Sequence, residues 1–223
     1  MKTCSLLSLL HISSPALPIG AFAYSQGLEY TLDAGWCKQA KDVEAWISGV
    51  LNYGLGGVDL PVLARLHRAW LEEDQAALEY WNGMLLAFRE TKELYLEDVQ
   101  VGDAFKQWHL SQSKGHEAKL DWIEKPTVAA MYALSSVISE IPVEQTLIGF
   151  TWAWLENQIT AASKAMPMGQ TDGQRIIRHL IPMIEDVIER AMTMEDHEIG
   201  SGLAGLAMSS ALHEHQYSRL FRS

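Results

Sequence analysis

The amino-acid sequence predicts an all-α fold, a single-domain helical bundle of roughly eight to ten helices spanning residues 1–223. Three observations carry this. Apolar residues recur at i, i+3, i+4 and i+7 in one segment after another, the spacing that gathers them on one face of a helix. No Val/Ile/Thr run alternates with period two over the length a half-buried strand needs. Gly and Pro fall between the periodic segments, where they separate elements. With 48% hydrophobic and 20% charged residues, the composition is that of a packed domain, not of a disordered chain.

The first element expected is a short amphipathic helix through Leu6, Leu9, Leu10 and Ile12. This run, followed by Ala21-Phe22-Ala23, imitates a secretory signal. Ser8 and His11 break it, however, and two prolines precede the would-be cleavage site, so a helix of the folded domain is expected instead. Ser13–Glu29, SSPALPIGAFAYSQGLE, reads as a rigid, partly buried elbow. Pro15 and Pro18 bias Ser14 and Leu17 toward extended backbone, Gly20 permits positive φ, and Ser25 is placed to cap a helix that stops at Gly35.

Asp42 is then expected to cap a helix carrying Val43, Trp46, Ile47, Val50 and Leu51, ended after Leu55 by Gly54, Gly56 and Gly57. Asp59 and Pro61 start the next, through Leu60, Leu63, Leu66 and Trp70. Asp74 caps one through Leu78, Trp81, Leu85 and Phe88. The pattern restarts near Arg89–Thr91 for Leu94, Val101 and Phe105, and the polar segment 110–124 reads as a loop. Pro126 opens a helix through Val128, Met131, Leu134, Val137 and Ile138 that stops before Pro142. Val143 to Met166 is the most apolar helix and is expected at the centre. Its main stripe is Ile148, Trp152, Leu155, Ile159, Ala162 and Met166; a smaller, more polar stripe is Ala153, Asn157, Thr160 and Lys164. Pro167-Met168-Gly169 breaks it. Thr171 and Gln174 fit a capping box for a helix through Ile176, Leu180, Ile184 and Ile188, kinked at Pro182. A helix over residues 202–212 leads into the tail. No run of about 18 apolar residues stands out, so no membrane span is expected.

A net charge of −11 argues against a nucleic-acid binder, which wants a basic face, and suits basic protein surfaces or cations. Two cysteines, Cys4 and Cys37, make neither a disulfide framework nor a zinc ribbon and fit a reducing cytoplasm. No G-x-x-x-x-G-K-[ST] loop, G-x-S-x-G elbow or H-E-x-x-H helix occurs. Three readings remain open. One is a scaffold, since the unusual motifs are rich in Gly, Pro, Gln and Tyr with few convergent acids or bases. Another is an all-α enzyme using the Glu90 and Glu93 carboxylates, which share a helical face with Glu97. The last is a direct metal carrier using His213 and His215, imidazole being a suitable nickel or zinc ligand.

Three stretches, SPALPIGAFAYSQGLE in the elbow, PMGQTDGQR at 167–175 and HEHQYSRLFRS at 213–223, resemble the signatures of the UreF family of urease accessory proteins. Ser14, Pro15, Leu17, Pro18, Gly20, Tyr24, Ser25, Gly27, Leu28 and Glu29 match the first. Pro167, Gly169, Gln170, Asp172, Gly173 and Gln174 match the second, and Gln216 to Ser223 the third. ETKEL at 90–94 is similar to the family's ETREL, with Lys92 where Arg is usual; Lys keeps the charge but not the bidentate fork. The resemblance implies an all-α, non-enzymatic cytoplasmic scaffold. It would join UreD/UreH and the GTPase UreG to the urease apoprotein for GTP-dependent nickel insertion, as a homodimer in the complex. No cofactor is implied; nickel is delivered by the complex and not held tightly by this chain.

The partner-binding residues expected are Pro15, Pro18, Gly20, Tyr24, Ser25, Glu29, Gly169, Gln170, Gln174, Tyr217, Arg219, Phe221 and Arg222 from the matching motifs, and Lys164 from the polar stripe one turn before Pro167. The loop Pro167–Thr171 is expected near the elbow. The tail combines Tyr217, Leu220 and Phe221 with Arg219 and Arg222, a composition common at interaction hot spots. It is expected to be mobile in the isolated chain and ordered on UreD/UreH, with Tyr217 and Phe221 as anchors. On that view its deletion would spare the fold.

Overall fold

The computed structural model describes every residue except 113–116, which lie within the segment expected as a loop. Among the described residues the chain is all-α, with no strand. The order is α1 (Thr3–Ile12), a 3-10 turn (Ala21–Ala23), α2 (Leu28–Asp33), α3 (Ala40–Gly49), a π-helical segment (Val50–Asp59), α4 (Leu60–Glu72), α5 (Gln75–Ala87), α6 (Lys92–Gln112), α7 (Glu117–Leu120), α8 (Val128–Ile138), α9 (Val143–Ala165), α10 (Gln170–Thr193), a second 3-10 turn (Asp196–Glu198) and α11 (Ala204–His213). α6 and α7 thus occupy much of the expected loop.

The expected break at Gly54–Gly57 does not occur. α3, the π segment and α4 run on as one rod, Ala40–Glu72. The glycines serve close approach instead. A Cβ on Gly56 would stand 2.7 Å from Val187 Cγ1 and 2.8 Å from Arg190 Nη2, so bare backbone there lets α10 lie against the rod. The Gly200 amide donates to Gly57 O at 3.1 Å on the neighbouring side. Asp59, expected as a cap, is buried within the rod and pairs with Arg89. By length and composition this rod could cross a bilayer; 61% of its most apolar stretch is buried inside the bundle, where it serves as a core helix.

Several helix starts shift by a few residues toward the side chain that can cap. Gln39 is the N-cap of α3, with Asp42 at the third position accepting from the Gln39 amide at 3.2 Å, a reciprocal capping box. Asp74 caps α5, accepting from Ala77 N at 3.0 Å. Thr91 accepts from Leu94 N at 3.2 Å at the head of α6. Thr127, not Pro126, caps α8 through Ala130 N at 3.1 Å. α10 begins at Gln170 with Gly169 as its N-cap, so Thr171 lies inside the helix and the expected Thr171/Gln174 box does not form. Pro182 is accommodated within α10 without ending it.

The most completely buried helices are α4 and α8, while α9 packs against α10, α2, α4, α8, α1 and α3 with part of its surface exposed. Ala129 to Ser136 of α8 are all buried, and Trp70 of α4 donates its indole N–H to Ala130 O at 2.9 Å. α9 presents a different face from the one its apolar residues suggest. Ile148 is 42% exposed, while Thr146, Gly149, Thr151 and Gln158 are buried beside Leu155 and Ile159. Small residues win there because α1 packs closely: a Cβ on Gly149 would meet Leu9 Cδ1 at 2.5 Å and Tyr132 Oη at 2.6 Å. α1 is held by Leu9 and Ile12, both buried.

Candidate functional site

The elbow, the second half of α9 and the tail meet at one place. Ser13 at the end of α1 hydrogen-bonds Tyr132 of α8 at 2.6 Å, fixing where the elbow starts. Leu17 is buried while Pro15 and Pro18 stay exposed, and Gly20 takes φ 77°. Tyr24 is extended; its hydroxyl donates to Gln100 Oε1 at 2.9 Å, and its carbonyl accepts from Asn157 Nδ2 at 3.0 Å. The smaller polar stripe of α9 therefore faces the elbow. Gly27, at φ 74°, turns the chain into α2 where a Cβ would stand 2.5 Å from Ser209 Oγ of α11. Ser25 is not the N-cap proper, but its hydroxyl accepts from Glu29 N at 3.3 Å and so still serves the first turn.

The tail is docked in the chain by itself, which corrects the expectation that it is mobile. The Ser25 amide and hydroxyl both donate to Ser223 O, at 2.8 and 2.5 Å. The Arg222 amide donates to Ala23 O at 2.8 Å. The Glu29 carboxylate accepts from the amides of Leu220 and Phe221 at 2.7 and 3.0 Å. Ser223 Oγ donates to Glu97 Oε2 at 2.7 Å, and Arg219 Nη1 to Glu93 Oε1 at 2.8 Å. Phe221 is 7% exposed, and Lys164 Nζ lies 5.8 Å from its ring centroid. Tyr217, expected as the second anchor, projects fully into solvent.

The candidate residues thus divide. Tyr24, Ser25, Glu29 and Phe221 are buried and are used inside the chain, and Arg219, though exposed, is engaged by Glu93. Pro15, Pro18, Lys164, Gly169, Gln170, Gln174, Tyr217 and Arg222 are exposed, and Gly20 is half-buried. The Met166–Met168 turn that precedes Gly169 and Gln170 borders the Cys37–Lys41 segment that follows α2. Between elbow, π segment and α9 lies a cavity of about 370 Å³ with Pro15, Phe22, Phe88, Trp154 and Gln174 among its lining residues.

Polar groups to which the sequence suggested other roles, or none, organise that cavity. Arg89 pairs with Asp59 at 2.6 Å and with Asp98 at 2.8 Å. Burial opposes its charge, but the two carboxylates outweigh that and raise the pKa above the ordinary guanidinium value. Asp98 also accepts from Val128 N at 2.8 Å, so it ties the head of α8 to the ion pairs. Gln26 donates to Glu97 Oε1 and accepts from the Trp154 indole, both at 2.8 Å. Burial pushes the Glu97 carboxyl up to about 7, opposed by its hydrogen bonds from Ser223 and Gln26. The available sequence signal was the run Glu93, Glu97, Asp98 in a helix that also carries core residues, a pattern that places carboxylates inward.

Two chemical readings are corrected. Glu90 is exposed ahead of α6, whereas Glu93 is buried and committed to His213 and Arg219, so they form no acid/base pair on one solvated face. His213 is fully buried, with Nδ1 2.8 Å from Glu93 and Nε2 3.1 Å from Glu29, while His215 is exposed. Both ring nitrogens of His213 are engaged, which removes it as a nickel ligand alongside His215; no metal-binding cluster of His, Cys, Asp and Glu occurs among the described residues. Lys92 pairs with Glu214 at 3.1 Å.

The arrangement offers surfaces more than reactive groups. The UreF family model matches residues 37–181. The chain is 48% identical over 222 residues to the urease accessory protein UreF of Teredinibacter turnerae, covering 98% of both chains. It is 47% identical over 219 residues to that of Marinobacter nauticus, covering 98% of this chain and 94% of that one. With the UreF of Hahella chejuensis it shares 42% over 224 residues, covering both completely.

Proposed function

Because the chain belongs to the UreF family, we propose that it serves urease maturation as a non-catalytic cytoplasmic scaffold. In this reading it joins UreD/UreH and the GTPase UreG to the urease apoprotein for GTP-dependent nickel insertion, and acts as a homodimer in the complex. The single observation that supports a scaffold is the meeting of the elbow, the second half of α9 and the tail, three segments far apart in sequence. Ser25 bonds Ser223, Asn157 bonds Tyr24, and Lys164 overlies Phe221. Their buried members hold one another in place, and their exposed members, Pro15, Pro18, Lys164, Tyr217 and Arg222, offer a contact surface on a well-packed support, with Gly169, Gln170 and Gln174 exposed further along the chain after α9. Rigid presentation lowers the ordering cost of association.

The test is co-purification of UreD/UreH and UreG homologues with the chain, together with nickel loading of urease. Lys164→Ala combined with Gln170→Ala should cost no more than about 1 kcal/mol of thermal stability, the value of an exposed cation over the Phe221 ring, yet reduce partner capture and urease activation. Unchanged capture and activation would confine this loop to a structural role.

A further inference from the structure

The turn that ends α9 faces the start of α3 across an open groove of about 690 Å³. Leu32 of α2, Met166 and Met168 line it; all three are half-buried and packed on the core. Methionine is unbranched and polarizable, so this floor adapts to apolar side chains of varied shape. Lys38 and Lys41 stand on the α3 side, both exposed, and neither ammonium forms an ion pair among the described residues. The one carboxylate of the lining, Asp172, is held by Arg175 at 3.0 Å. The nearby Asp42 carboxylate accepts from the backbone amides of Lys38 and Gln39. A chain of net charge −11 thus presents two uncompensated cations beside an apolar floor. Helix stability does not account for them, since Lys41 is the second residue of α3, where the dipole favours an acid. No buried polar side-chain atom of the described lining lacks a partner, so the groove has no fixed point for a small molecule. An apolar floor with charges at its rim is the layout of a protein contact.

We propose that this groove takes an acidic segment of a partner protein. One apolar side chain of that segment enters between Leu32, Met166 and Met168, and carboxylates beside it pair with Lys38 and Lys41. Charge selects the occupant: the cations are the unpaired groups here, so a basic segment is repelled and an acidic one is drawn in. This contact presupposes that the chain is a scaffold, and it adds a second docking place to the elbow and tail. The exposed Gly169 and Gln170 follow Met168 directly, so their exposure belongs to this groove's end of the chain.

Charge reversal on the full chain tests it. Lys38→Glu combined with Lys41→Glu changes the rim and leaves the floor intact. Both side chains are exposed and an acid suits the first turn of a helix, so the variant should melt no lower than the natural chain. UreD/UreH, UreG and the urease apoprotein, each purified, are titrated against both chains at about 0.05 M and about 0.5 M salt. We expect one of them to bind the variant about tenfold or more weaker at the lower salt, and the difference to shrink to about twofold or less at the higher, because exposed charges act through screened attraction. Carbodiimide, which joins an ammonium to a carboxylate in contact with it, should couple Lys38 or Lys41 in that complex to an Asp or Glu next to an apolar residue. A variant that binds all three proteins as tightly as the natural chain overturns the proposal and leaves the scaffold reading standing. A natural chain that binds none of them overturns both. Coupling of these lysines to a second copy of this chain, or to no partner carboxylate in the assembled complex, also overturns the proposal.

Discussion

At the scale of single residues, the polar groups under the elbow do more than solubilise. Asp98 is 4% exposed and satisfies both Arg89 and the Val128 amide. Asp98→Ala leaves a buried cation with one partner fewer and an orphaned helix-start N–H, so it should cost about 3–5 kcal/mol in urea unfolding. Glu97 makes a pH-dependent contribution. Its carboxyl lies near 7 in the fold against 4.5 for the free group. The folded state therefore binds the proton more tightly, and this contribution is fully present below about 4.5 and lost as pH rises through about 7. Glu97→Gln keeps an acceptor for Ser223 and removes the titration. Its melting temperature should gain on the natural chain as pH rises from about 5 to about 8; a constant difference across that range would show that Glu97 does not titrate between the folded and unfolded states.

At the scale of elements, the rod Ala40–Glu72 shows that glycine in a helix has two meanings, distinguished by what lies opposite. Gly83 in α5 is exposed and a Cβ there would meet nothing within 4 Å. Gly83→Ala should therefore stabilise by about 0.5–1 kcal/mol through backbone entropy alone. Gly56→Ala offers the same entropic gain but drives a methyl to 2.7 Å from Val187, a stiff β-branched neighbour on α10. That overpacking costs about 1–3 kcal/mol, so the same substitution should change sign in thermal unfolding. α9 follows the same logic, since Gly149 is buried and Ile148 exposed because close approach of α1 selects for smallness over hydrophobicity.

At the scale of the molecule, the tail closes the fold by giving partners to Glu29, Glu93 and Glu97 on two different helices. Deleting Tyr217–Ser223 would leave those groups without their tail contacts and uncover the surface that Phe221 shields. Loss of one partner from a buried charge costs about 3–5 kcal/mol, and the ring contributes about 1.5–3 kcal/mol more. Calorimetry should show the truncated chain melting well below the full chain. A truncated chain that melts at the same temperature would restore the view of the tail as an independent segment. Loss of partner capture by this truncation is therefore interpretable only beside a stability measurement, whereas substitution of the exposed Tyr217 separates recognition from folding.

The all-α class, the order of the helices and the elbow were legible in the sequence because they rest on local physics: periodicity within a few turns, Pro and Gly backbone limits, and caps within four residues. Helix starts were off by two or three residues where a neighbouring Gln or Thr could cap as well as the Asp or Pro first chosen, as at Gln39 and Thr127. Family signatures marked Ser25, Glu29 and Phe221 as important without saying for what, because a side chain that binds a partner and one that binds its own tail have the same composition. Only the tertiary structure decided that. Whether Gly56 ends a helix or admits α10, whether Asp59 caps or pairs with Arg89, and whether His213 meets a metal or two carboxylates depends on atoms brought together from positions 30 to 184 residues apart. Sequence periodicity places a residue on one face of its own helix; which charge or backbone waits opposite is set by packing, where burying an unpaired group costs more than any local preference can supply.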